Sequence, residues 1–179
     1  MTNTFIIGEK LNSSNHRVKK IFRERDEDAL AEIAGNQIDC GAGCIDLNAS
    51  MLLGDEADAL LWSARFVRDN FHIDVSLDSS NLDLLLDLAP QFGESAVLNS
   101  LTSDEDALHR ASVAISGSGS GAVVMLKDRM GVPDNTAGRL RLAERSAEIL
   151  AKAGIAAHKI YFDPVFHPLA TSPRGSSVT

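Results

Sequence analysis

What most limits the fold of this chain is a rhythm. Short apolar runs recur about every 30 residues, and each is followed by a longer segment with helical periodicity. The runs are "TFIIG" (4–8), "CIDLN" (44–48), "IDVSLD" (73–78), "SAVLNS" (95–100), "GAVVML" (121–126) and "KIYFD" (159–163). Between them, helices are expected over 17–39, 55–70, a short "NLDLLLDLA" segment closed by Pro90, 103–115, and 135–153 stopped by Gly154. Strand–helix repetition of this kind specifies a parallel sheet covered by helices, an α/β fold. Six units suit an open doubly wound sheet or part of a (β/α)8 barrel. A whole barrel typically takes about 250 residues, so length alone favours the open sheet. One domain is expected over 1–171, with 172–179 read as a disordered tail.

Composition removes several function classes. The net charge of −8 is spread along the chain, and no Lys/Arg-rich stripe exists, so nucleic acid is not an expected partner. "TFIIG" is too short for a signal sequence, and nothing is long and apolar enough to span a bilayer. The expectation is a soluble cytoplasmic protein without a membrane partner. The two cysteines, Cys40 and Cys44 in "CGAGC", lack the additional ligands a zinc or iron–sulfur site needs, and are expected to be small buried thiols. "SGSGSG" (116–121) follows a helix and precedes a strand. That is the reverse of a dinucleotide-binding loop, so it reads as a turn.

The chemistry concentrates where the strands end. In chain order the ends carry Glu9 and Asn12; Asp46 and Asn48; Asp78 and Asn81; Asn99 and Ser100; Lys127 and Asp128; and Asp163. In a parallel sheet these ends share one face, where ligands bind. Ser79 and Ser80 read as helix caps, but capping does not account for polar side chains at six consecutive ends. His167 reads as a surface residue, no nucleophilic Ser lies in a G-x-S-x-G setting, and no histidine cluster suits zinc. Oxygen ligands suit magnesium. They equally suit a flat heterocycle whose ring N–H and amino group donate in parallel to a carboxylate.

The motifs "IIGEKLN", "GAGCIDLN", "SLDSSN", "AVLNS", "MGVP" and "YFDPVFHPLAT" keep a shared order and spacing. Over nearly its whole length, residues 5–171, the chain resembles the pterin-binding methyltransferases. That family includes methyltetrahydrofolate:corrinoid/iron–sulfur protein methyltransferase and the folate domain of cobalamin-dependent methionine synthase. The resemblance implies a (β/α)8 TIM-type barrel, like that of dihydropteroate synthase, with about six β/α units present. It places the pterin in the barrel mouth. Asp78, Asn99 and Asp163 match pterin-contacting positions, and Glu9 matches an acidic position of that pocket. Asn12, Asp46 and Asn48 match positions close to the site; Asp128 joins the pterin set, and Asn12 is the residue assigned to catalysis. No bound metal is expected.

The implied reaction moves the N5 methyl group between methyltetrahydrofolate, or a related tetrahydropterin, and cob(I)alamin held by a separate corrinoid protein. An amine leaves badly unless N5 gains positive character, so a proton or a strengthened hydrogen bond is needed there. The family's seventh-strand loop, with an Asn beside N5, and its eighth strand have no counterpart. The expectation is therefore a C-terminally truncated chain. A barrel-completing partner chain and a self-completing homo-oligomer are the other routes. Two further readings stay open: a pterin-binding fragment or split-enzyme half without turnover, and dihydropteroate synthase.

Overall fold

The structure, a computed structural model, describes residues 4–166. His167 and the 172–179 segment lie outside the described residues. Six strands form one parallel sheet in strictly sequential order: β1 (Ile7–Asn12), β2 (Cys44–Asn48), β3 (Asp74–Asp78), β4 (Ala96–Thr102), β5 (Gly121–Met125) and β6 (Ile160–Asp163). The helices are α1 (His16–Glu24), α2 (Glu27–Asp39), α3 (Glu56–Phe71), α4 (Leu82–Phe92), α5 (Glu105–Ser118) and α6 (Thr136–Lys152). Most starts are chemically marked. Asn15, Asp26, Asn81, Asp104 and Asn135 each accept a backbone N–H of the first helical turn through their side chains. No described helix is long and apolar enough to cross a membrane.

Sequential order decides between the two α/β architectures. A doubly wound sheet reverses its strand order partway; this sheet never does, so right-handed crossovers lay all the helices on one face. The fold is an arc of a TIM-type barrel, and the open sheet favoured by length is corrected. Among the described residues β1 and β6 do not pair, and the sheet is unclosed. It is nonetheless curved enough that Phe5, just ahead of β1, stacks on Tyr161 of β6 with ring centroids 5.7 Å apart.

Side chains alternate across a strand, and here the alternation sorts two chemistries. Ile45, Leu47, Val75, Leu77, Leu98 and Val124 are fully buried in the apolar core with the helices. The intervening residues Asp46, Asp78, Asn99, Tyr161 and Asp163 line the concave side.

Four local expectations need correction. β1 starts and ends later than 4–8, so Glu9 and Asn12 lie within the strand. Its pairing shifts between Gly8 and Leu11, and the Lys10 amide donates to Gln37 Oε1 at 2.8 Å instead of to a strand. Gly8 permits this approach, since a Cβ there would sit 2.7 Å from Gln37 Oε1. The 17–39 helix is two helices, broken where Arg25 turns left-handed (φ 57), stacks on Trp62 and donates to the Asp58 carbonyl. Pro90 does not close α4, which runs on to Phe92 because Arg65 and Arg68 of α3 hold Gln91 and Phe92 packs into the core. Cys44 is buried as expected, whereas Cys40 is exposed. The 116–121 segment does join α5 to β5, with Gly119 as the left-handed cap.

Candidate functional site

The C-terminal ends of the strands surround a cavity of about 270 Å³ whose lining includes Glu9, Asn12, Asp46, Asp78, Asn99, Ser100, Tyr161 and Asp163. Residues far apart in sequence thus meet because a parallel sheet carries every strand end to one rim.

At the centre is Asp46, almost wholly buried. Its Oδ1 accepts the Ser76 hydroxyl at 2.6 Å and Asn99 Nδ2 at 2.7 Å. Burial pushes its carboxyl up to about 7; the Ser76 and Asn99 donors pull the other way, and the charges of Asp78 and Glu9 add to the rise. Asp46 therefore exchanges a proton near neutral pH. Deeper in the barrel, burial also raises the Cys44 thiol, reinforced by Asp74 and Asp46, and this disfavours a nucleophilic thiolate.

Asp78 is held from both sides. Asn48 Nδ2 donates to its Oδ2 at 2.8 Å, and the Ser100 hydroxyl donates to its Oδ1. Asn48 itself is fixed by the Ser50 amide and hydroxyl, at 3.1 and 2.7 Å from its Oδ1. Asn48 thus sits behind Asp78 rather than on the cavity wall. Asn12 Oδ1 accepts the Ser14 amide at 2.9 Å, and Asp163 Oδ1 accepts the Val165 amide at 2.8 Å; both residues line the cavity while tying down their own loops.

Asp128 is not brought to this cavity. Its Oδ1 accepts the Met130 amide at 2.9 Å in a tight turn after β5, and Arg145 lies 3.6 Å from its Oδ2. Ser79 and Ser80 are not the caps of α4. Asn81 is, and the Ser79 hydroxyl instead donates to Glu56 at 2.6 Å, tying the loop to the start of α3. Sequence reasoning passed over Ser76 and Tyr161. The available signal was spacing, since each precedes an acidic strand end by two residues and so shares its face. A larger groove of about 820 Å³ runs outside β1 along α2, but of the converging acids only Glu9 reaches it.

Comparison with known proteins identifies a family. Residues 8–176 match the family described as pterin binding enzyme. The chain is also similar to a methylcorrinoid:tetrahydrofolate methyltransferase of Eubacterium limosum, 26% identical over 168 residues that make up 93% of this chain and 62% of that protein. The chain therefore spans less than two thirds of that relative's length.

Proposed function

The chain belongs to the pterin binding enzymes, and from that premise we propose that it binds a tetrahydropterin and transfers a methyl group between pterin N5 and the cobalt of a corrinoid protein. The observation that carries the reading is the acceptor-rich cavity, with Asp46, Asp78, Asp163 and Glu9 converging on one small volume. A reduced pterin presents ring N–H and amino donors along its edge, which such acceptors match. The similarity to a methylcorrinoid:tetrahydrofolate methyltransferase supports methyl transfer as the reaction.

The corrinoid, a substrate carried by its own protein, supplies the cobalt that gives or takes the methyl group. When the methyl leaves N5, the electron pair of the broken C–N bond stays on nitrogen, which takes up a proton; the reverse direction releases it. Asp46, with its carboxyl near 7, serves as the proton reservoir that this exchange requires. Asp78 and Asn99 fix the ring, Asp163 and Glu9 close the acidic rim, and Asn12 offers its amide N–H₂ as the catalytic donor.

The test is a thermal melt of the full chain with and without methyltetrahydrofolate. A ligand bound only by the folded state at 100 times its Kd stabilises by about 2.7 kcal/mol, so the midpoint should rise. An unmoved midpoint at saturating ligand would overturn the pterin assignment. Because the chain spans 62% of its relative, a second reading is pterin binding without transfer. Demethylation of the bound ligand by a reduced corrinoid protein separates the two.

A further inference from the structure

β4 is irregular where it meets the cavity. Leu98 pairs with Ala122 and Leu101 with Val124, so three steps of β4 run beside two of β5. The extra residue makes a bulge, and within it Ser100 sits at φ 70, a left-handed conformation that serine seldom adopts. Neighbouring strand residues normally face opposite sides, yet Asn99 and Ser100 both line the cavity. The Ser100 amide donates to Asn99 Oδ1 at 2.6 Å, and the Ser100 hydroxyl donates to Asp78 Oδ1.

We propose that Ser100 is a positioning residue, whose hydroxyl, delivered by the bulge, sets the plane of the Asp78 carboxylate for the pterin edge. The inference rests on the pterin reading above. Each carboxylate oxygen accepts in about two directions. Asn48 occupies one on Oδ2 and Ser100 one on Oδ1, which leaves one on each oxygen for a paired donor. Without Ser100, Asn48 alone among the described residues holds the group, which then turns about a soft terminal torsion and must be ordered by the ligand on binding. A strained backbone kept beside a binding site fits such a role.

The test uses Ser100→Gly and Ser100→Ala in the full chain, with methyltetrahydrofolate affinity measured by titration calorimetry and stability by thermal melts. Both variants lose the hydroxyl, and glycine accepts the positive φ. Ser100→Gly should therefore melt above Ser100→Ala, while both bind about tenfold more weakly than the parent. Parental affinity in Ser100→Gly would overturn the proposal, reducing Ser100 to a bulge former. A parent chain that binds no pterin would instead defeat the pterin reading itself. The Ser100–Asp78 contact is then judged by melts of Ser100→Ala, Asp78→Ala and the double variant, where losses smaller than additive are expected and additive losses overturn the contact.

Discussion

Asn99 Nδ2 lies 2.7 Å from Asp46 Oδ1, a bond that joins residues 53 positions apart in the sequence. It gives Asn99 a structural role beside the binding role proposed for it. Asn99→Ala should weaken methyltetrahydrofolate binding by at least about tenfold and cost about 1.5–3 kcal/mol of stability when Asp46 is charged. Denaturant titrations at pH 8 and pH 5 check this, with the larger loss expected at pH 8.

Asp46 should also leave a signature in the pH dependence of folding. Its folded value of about 7 lies above the ordinary 3.8, so between these limits the folded chain holds a proton the unfolded chain has released. Its stabilising contribution is whole below pH 4, falls as pH rises, and is gone above about 7, a total on the order of 4 kcal/mol. Asp46→Asn removes this slope. Subtracting the variant's stability profile from the parent's should give a curve that declines from pH 4 to 7, and a flat difference would contradict the buried, proton-holding Asp46.

The two faces of the sheet should respond differently to truncation. Leu98→Ala, beneath the helices, is expected to cost about 2–5 kcal/mol. Because Leu98 faces away from the cavity, the protein that remains folded should bind the pterin within about twofold of the parent. Melts and calorimetry on one preparation measure both quantities.

The thiols offer a check independent of any ligand. Exposed Cys40 should react with an aromatic disulfide reagent in the native protein, whereas Cys44, buried and with its thiol pushed up, should react only after denaturation. Two reactive thiols under native conditions would contradict the described packing.

The sequence was most legible where one local rule decided the outcome. The apolar run at 44–48 is β2 itself, and Glu9, Asn12, Asp46, Asp78, Asn99 and Asp163 do gather at one rim. It was least legible where distant groups intervene. The break at Arg25 depends on Trp62 and the Asp58 carbonyl, and the extension of α4 past Pro90 depends on two arginines of α3. The irregular pairing of β1 with β2 depends on a glutamine from α2 that occupies the Lys10 amide. Asp128 looked like its counterparts in the sequence, but its carboxylate is drawn into the turn that follows β5.

Strands β2, β3 and β4 carry two interleaved scripts, an apolar one read by the helices and a polar one read by the cavity. Because they occupy alternate letters, one can be rewritten without touching the other. A lineage built on this sheet is therefore free to reshape its cavity through residues such as Asp78 and Asp163 while inheriting the apolar packing beneath the helices intact. The β4 bulge is the exception: there two successive letters, Asn99 and Ser100, belong to the same script, and drift in either is felt by the cavity.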